Sequence, residues 1–234
     1  MRPLFLAAAA CLAPLAPLAP LAAAAAATSP LPSLPLVREH FEALESLRSL
    51  SADFRQAVRL DGSQTIRRTS GHLEFRSPGL LRLETVSPEA QTTVIDGSSL
   101  WVYRPSTNQV VRTPLLAWRK SQPLAGSLLD VSRYAELLKS CRARIVSVGK
   151  PGPDGYRRFF LELVPKADSS GAFTLTLRLS TRDFFPAEAE LRSGGVTIRS
   201  RLLNIKYNPP LPAGRFRFVP PPGADVFDAS GSRR

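Results

Sequence analysis

Reactive side chains are scarce in this 234-residue chain, which has two histidines, two cysteines and one methionine. A structural zinc site needs a Cys/His cluster, and His40, His72, Cys11 and Cys141 are too few and too scattered to supply one. A serine nucleophile needs a positioned base. His40 lies beside the apolar stripe of a helical stretch and His72 falls on the polar side of a strand, so both read as surface residues and a Ser-His-Asp arrangement is not expected. No Gly-x-Ser-x-Gly elbow occurs, and Asp96-Gly-Ser-Ser99 reads as a hairpin turn. A phosphate-binding glycine loop and an Asn-x-Ser/Thr acceptor are both missing. Glu188 and Glu190 share one face of a strand. Catalytic carboxylate pairs need contrasting, buried environments, so this pair reads as a solvated face. The absences point away from an enzyme and from any metal or cofactor.

Acidic residues are also few. There are 19 Asp+Glu against 31 Lys+Arg, a formal net charge of +12, and 26 of the positive charges are arginine. Several arginines alternate with apolar residues: Arg55, Arg59, Arg178, Arg192, Arg199 and Arg201. A basic sheet can track phosphates, which makes a polyanion-binding module one reading. Arginine dressing the wet face of a sheet is the other, and it fits the scattered placement better.

The N-terminus is apolar and almost uncharged. Residues 4–27 carry no charge, Arg2 alone precedes them, and 13 of the first 27 residues are Ala. Ala25-Ala26-Ala27 supplies small residues at a cleavage position, so residues 1–27 read as a secretory signal peptide that is removed on export. Removal leaves 207 residues and a single cysteine, Cys141, which reads as a half-buried filler. An exported domain with one thiol has no internal disulfide, so an apolar core must hold it together. Residues 28–35 form a Pro/Ser linker, 36–229 one domain, and 230–234 a frayed end.

Within that domain, Val37, Phe41, Leu44 and Leu47 recur at helical spacing over Leu36–Leu50. From Ser51 the period becomes two. Strands are expected at Ala52–Leu60, Thr65–Arg76, Leu80–Val86, Gln91–Ile95, Ser99–Arg104, Gln109–Thr113, Arg142–Val148, Tyr156–Val164, Phe173–Ser180, Phe185–Ser193 and Val196–Tyr207. Turn residues separate them, and connections this short require antiparallel pairing. Residues 114–139 break the pattern and read as short helices. The tail Phe216-Arg-Phe218 starts as a short strand and becomes irregular. The expected fold is mainly β, with about eleven strands whose dry face alternates with a wet one.

Four stretches in order resemble the periplasmic outer-membrane lipoprotein carrier family, LolA. They are Ala52-Asp-Phe54-Arg-Gln56, then Ser70-Gly71-His-Leu73-Glu-Phe75-Arg-Ser-Pro78-Gly79-Leu-Leu-Arg82, then Val94-Ile-Asp96-Gly97-Ser-Ser-Leu100-Trp101-Val-Tyr103-Arg-Pro105, and the tail Phe216-Arg-Phe218-Val-Pro-Pro221-Pro-Gly223-Ala-Asp-Val226. The resemblance implies an unclosed antiparallel β-barrel with short helices over its concave face. It implies a periplasmic carrier of acylated lipoproteins, fed by an inner-membrane LolCDE-type transporter and relieved by an outer-membrane LolB-type acceptor or the membrane itself. Such a carrier would act as a monomer, with no nucleic acid and no covalent chemistry. A similar carrier or sensor in another envelope pathway, for lipid or glycolipid, is an alternative. The implied lining is Phe54, Leu73, Phe75, Leu81, Leu83, Leu100, Val102 and Val111, with Leu115, Leu116, Trp118, Leu128 and Leu129 from the lid. The family's arginine before Pro-Gly is Ser77 here, with Arg76 one place earlier, so Arg76 and Arg82 are the candidate lid latch. Trp101 and Tyr103 alternate against Leu100 and Val102, which leaves open whether they line the cavity or cover its outer side.

Overall fold

The computed structural model describes residues 31–121, 134–166 and 173–229. Helix α1 (Leu34–Ala43) starts where Ser33 accepts the Leu36 amide at 3.4 Å, and Pro35 sits in its first turn. Both features suit a helix start, where amides have no partner one turn back. Val37 and Phe41, four residues apart, are fully buried. The helix then tightens into a 3₁₀ turn at Leu44–Ser46, and β1 (Ser49–Leu60) begins inside the stretch expected to be helical. Leu47 and Leu50 satisfy both periods. Strand pairing wins because Leu50 faces Phe75 across the ladder and Asn208 Oδ1 accepts the Arg48 amide at 2.9 Å.

The remaining strands are β2 (Ile66–Arg76), β3 (Leu80–Ser87), β4 (Gln91–Ile95), β5 (Ser99–Arg104), β6 (Gln109–Pro114), β7 (Cys141–Pro151), β8 (Arg157–Pro165), β9 (Phe173–Ser180), β10 (Glu188–Ser193), β11 (Val196–Tyr207) and β12 (Asp225–Asp228). Two short helices, α2 (Leu115–Ser121) and α3 (Tyr134–Ser140), stand between β6 and β7. All twelve strands form one open sheet, in the order β12-β6-β5-β4-β3-β2-β1-β11-β10-β9-β8-β7. The order places β1 and β11 side by side at its middle.

Eleven of these strands match the expected set to within a few residues at their ends. β10 starts at Glu188 instead of Phe185, because Phe184 takes a positive φ of 51° and Pro186 has no amide to donate. The tail differs more. Ala213–Phe216 is a 3₁₀ turn, and the twelfth strand lies beyond the proline run, pairing parallel with β6. Prolines 220–222 cannot donate to a ladder, so Phe216 and Phe218 are used for packing instead.

One face of the sheet, here the inner face, carries the helices. Phe159, Leu161 and Leu163 of β8 and Leu175, Leu177 and Leu179 of β9 pack under Val37 and Phe41 of α1 and Leu137 and Leu138 of α3. Cys141, the first residue of β7, belongs to this core, and burial pushes its thiol pKa up. The thiol is therefore a small apolar filler.

The outer face is covered at one end by a strap, the chain from Asn208 to Gly223. Ser49 Oγ donates to Pro209 O at 2.6 Å, and Asn108 Nδ2 donates to Gly223 O at 2.8 Å. Phe218 lies 5.5 Å from the Trp101 ring and 6.1 Å from Tyr103, which puts both aromatics on the outer side. Trp101 Nε1 also donates to Asp96 Oδ2 at 2.7 Å, across the β4–β5 turn.

Two outcomes follow from this framework. A Cβ on Gly71 would lie 1.9 Å from Glu84 O and 2.8 Å from Phe54 Cε1. Gly71→Ala should therefore cost at least about 1–3 kcal/mol, read from urea unfolding midpoints, because a backbone carbonyl must move. Burial acts to raise the Asp96 pKa, but hydrogen bonds from Trp101, Ser98 and Ser99 outweigh it and hold the carboxyl below its ordinary 3.8. A depressed carboxylate stabilises the fold above its unfolded pKa and loses that contribution as pH falls through the folded value. The melting difference between the wild type and Asp96→Asn should thus be largest near neutrality and shrink below about pH 3.8, by differential scanning calorimetry.

Candidate functional site

Strand pairing arranges the inner face of β1–β6 into two apolar rows. In the first, Leu50 faces Phe75, Phe75 faces Leu81, Leu81 faces Ile95 and Ile95 faces Leu100. All five are buried. In the second, Leu73 faces Leu83, Leu83 faces Thr93, Thr93 faces Val102, Val102 faces Val111 and Val111 faces Phe227. This row is open: Leu73, Leu83 and Val102 are half-buried, Val111 is 37% exposed and Phe227 52%. Phe54 stands at the next position, against Gly71.

The inner face is therefore neither hollow throughout nor packed throughout. Phe75, Leu81 and Leu100, expected as cavity lining, belong to the filled core. Leu73, Leu83, Val102 and Val111 form a shelf beside it, and Phe54, itself buried, borders that shelf. From α2, Leu115 is buried and its amide donates to Ser98 O at 2.9 Å. Trp118 packs partly on the core, and Leu116 is 76% exposed. Leu128 and Leu129 lie outside the described residues. The sequence reading did not single out Phe227, because its strand follows a proline run and pairs with β6 through a connection that local alternation does not reveal.

The shelf is chemically simple. Its side chains are hydrocarbon except for the Thr93 hydroxyl, and Arg82, Glu84 and Arg112, which alternate with the shelf residues on β3 and β6, point to the outer face. Such a surface recognises apolar area and little else. Val111, Leu116 and Phe227 lie on three neighbouring elements and are left exposed by the fold itself. Contiguous apolar exposure of this kind marks a binding surface.

Among the described residues, Arg76 and Arg82 contact the C-terminal segment and not α2 or α3. Both project from the outer face and hold the C-terminal segment: Arg76 Nη1 donates to Leu211 O at 3.4 Å, and Arg82 Nη1 to Arg215 O at 3.3 Å. Arg82 Nε also donates to Glu84 at 2.6 Å. Arg215 returns the contact by pairing with the buried Glu74 at 2.9 Å. The strand period explains this placement, since Arg76 and Arg82 alternate with Phe75, Leu81 and Leu83.

A second correction concerns His72. Its Nε2 lies 3.1 Å from Ser51 Oγ and its Nδ1 3.0 Å from Asp53 Oδ1, while Asp53 Oδ2 accepts from Asn204 at 2.6 Å. These are the spacings of a Ser-His-Asp triad. The hydroxyl, however, belongs to a residue only 8% exposed, two positions along β1 from the strap's anchor at Ser49. The cluster ties β1, β2 and β11 together where the β1–β11 register shifts. Hydrogen bonds from His72 and then Asn204 keep the Asp53 carboxyl below its usual value. His40 is likewise engaged, stacked 4.0 Å from Phe184. Among the described residues no group of three or more His, Cys, Asp and Glu could hold a metal.

The chain matches the profile of the family described as "Outer membrane lipoprotein carrier protein LolA" over residues 45–219. It is 33% identical over 179 residues to the outer-membrane lipoprotein carrier protein of Dechloromonas aromatica, covering 76% of this chain and 81% of that protein. The Chromobacterium violaceum protein of the same name is 32% identical over 180 residues, covering 76% and 81%. Among solved structures, an uncharacterized conserved protein from Thermus thermophilus shares the fold with a TM-score of 0.51 at 17% identity, covering 83% of this chain and 98% of that one.

Removing the Arg215 side chain leaves Glu74 buried without its cation. Arg215→Gln should cost about 1–3 kcal/mol in chemical denaturation, the scale for an orphaned buried partner. Hydrogen exchange of the 208–223 amides should accelerate with it.

Proposed function

The chain belongs to the LolA family of outer membrane lipoprotein carriers, and from that premise we propose that it ferries acylated lipoproteins across the periplasm. It receives them from an inner-membrane LolCDE-type transporter and yields them to a LolB-type acceptor or the outer membrane. It is exported through cleavage after Ala27, works as a monomer, and moves cargo without forming or breaking a covalent bond.

The observation that carries this reading is the pairing of a filled apolar row with an open one on the same sheet face. A lipid carrier has two physical requirements. Its fold must survive without cargo, which the buried row and the α1–α3 core support. It must also offer apolar area to chains leaving a membrane, at about 0.8 kcal/mol for each methylene withheld from water. An acyl chain with about a dozen shielded methylenes would then gain on the order of 10 kcal/mol, a gain shared with any membrane or acceptor that also buries it. Transfer in either direction is accordingly close to balanced, and a site built from non-directional contacts adds no hydrogen bonds that must be broken on release.

The test separates shelf from core. The mature protein, purified from cells, is expected to carry acylated protein detectable by mass spectrometry and to take up a fluorescent fatty acid. Leu83→Glu and Val111→Glu should weaken that uptake at least about tenfold, because a carboxylate on the shelf must be desolvated by the chain. Their melting temperatures should stay near that of the wild type. Leu81→Ala, in the filled row, should instead cost about 2–5 kcal/mol of stability. Absence of acylated cargo together with no fatty-acid uptake would overturn the proposal.

A further inference from the structure

The outer face of β1, β2 and β8–β11 has its own concavity, a groove of about 910 Å³ whose lining includes Arg55, Arg68, Arg178, Arg192, Arg199 and Arg201. Glu188 and Glu190 are the two carboxylates of that lining, so six guanidinium groups meet two acids. The register shows how they are laid out. One cross-strand row runs Ser70, Arg55, Arg201, Glu188, Arg178, Phe160, and the next runs Arg68, Ala57, Arg199, Glu190, Thr176. Glu188 bridges Arg178 at 3.0 Å and Arg201 at 3.2 Å, and Glu190 bridges Arg192 and Arg199. Burial acts to raise the Glu190 pKa, but the Arg199 and Arg192 hydrogen bonds outweigh it and hold it low, and both carboxylates are engaged in ion pairs within the groove.

Four of the six arginines are thereby satisfied within the protein. Arg55 and Arg68 are exposed and have no carboxylate partner among the described residues. They stand at the β1–β2 end of the two rows, on neighbouring strands. Phe160, 39% exposed, closes the opposite end with an aromatic face.

We propose that this groove binds an acidic polypeptide segment of a partner protein, whose carboxylates engage Arg55 and Arg68 while its backbone follows the groove toward Phe160. Three observations favour a peptide. The groove is concave, so an extended chain enters it, whereas a flat bilayer surface meets only its rim. Glu188 and Glu190 demonstrate that carboxylates at strand spacing fit between these guanidinium groups, whose planar forks match carboxylate geometry. The excess of positive charge is local, four more guanidinium groups than carboxylates in one lining, where electrostatic complementarity sets encounter rate and partner choice. The site is on the opposite face from the apolar shelf, and the inference holds whether or not the shelf carries lipid.

The test uses the full mature protein and a fluorescein-labelled peptide of alternating Glu and Ser, read by fluorescence anisotropy at low and physiological salt. Arg55→Gln with Arg68→Gln should weaken binding by about tenfold or more, since charge-assisted hydrogen bonds are lost. Arg104→Gln with Arg217→Gln, an equal charge loss outside the groove, should change it less than about twofold. Neither pair should shift the melting temperature, because none of these side chains has an ion-pair partner among the described residues. Fatty-acid uptake should be equal in all variants, which separates failure here from failure of the carrier reading. The proposal is overturned if the peptide does not bind, if both variant pairs weaken it equally, or if the groove pair instead impairs binding to phosphatidylglycerol vesicles or to heparin while leaving the peptide unaffected.

Discussion

The pairing of β1 with its two neighbours, β2 and β11, is the constraint on which the rest of the molecule depends. In a sheet each residue alternates faces, so a slip of one position at β1 would exchange the faces of a whole strand. Leu50, Ala52 and Phe54 point inward while Ser51, Asp53 and Arg55 point outward. A one-residue slip would bring Asp53 and Arg55 onto the apolar shelf and set Leu50 under the polar strap. The register is pinned at three points. Asn208 holds the start of the strand, the Ser51–His72–Asp53–Asn204 chain holds the shift against β11, and Gly71 admits the Phe54 ring where any side chain would collide with Glu84. These features join the folding problem to the function, because the same alternation that builds the core decides where cargo can lie.

Much of this was legible in the sequence, and what escaped has identifiable causes. Period-two runs located eleven strands, since a half-buried strand must alternate. Which apolar residues are core and which are shelf was not legible. Leu81 and Leu83 are the same residue type two positions apart on the same face, yet the first is 1% exposed and the second half-buried. Leu81 belongs to the core cluster that contains Leu115 of α2 and Val37 and Phe41 of α1, and Leu83 does not, a distinction that no local pattern encodes. The latch role of Arg76 and Arg82 came from the family resemblance, whereas the backbone carbonyls they hold belong to residues more than a hundred positions away. His72 was correctly placed on a polar face, but its neighbours Ser51 and Asp53 become partners only through the β1–β2 pairing. Alternation marks a face; it does not say what lies over that face.

The C-terminal strap resolves a difficulty that an open sheet creates. The exposed apolar shelf leaves part of the inner face uncovered by the described helices, unlike the blanketed faces of most layered folds. Covering part of the outer face offsets this. Phe218 packs against Trp101 and Tyr103, Phe216 is buried, Arg215 satisfies Glu74, and β12 occupies the free edge of β6. That edge strand also stops β6 from presenting unpaired amides to another chain. Stability is thus drawn from the outer face so that part of the inner face can stay available.

The two halves of the outer face are consequently unlike. From β1 toward β6 the strap closes it with aromatic and ionic contacts. From β1 toward β8 nothing among the described residues covers it, and arginine accumulates there. If the positive charge served only solubility, its placement along the sheet would be indifferent, and paired carboxylates would be as useful anywhere. Instead Glu188 and Glu190 pair with the four arginines of β9–β11, while Arg55 and Arg68 have no carboxylate partner among the described residues, on the strands that also carry Phe54 and Leu73. One central strand therefore bears an apolar surface on one side and a free cationic one on the other. A partner engaging the arginines, as proposed, and a cargo lying on the shelf would contact opposite sides of the same backbone, and neither would obstruct the other.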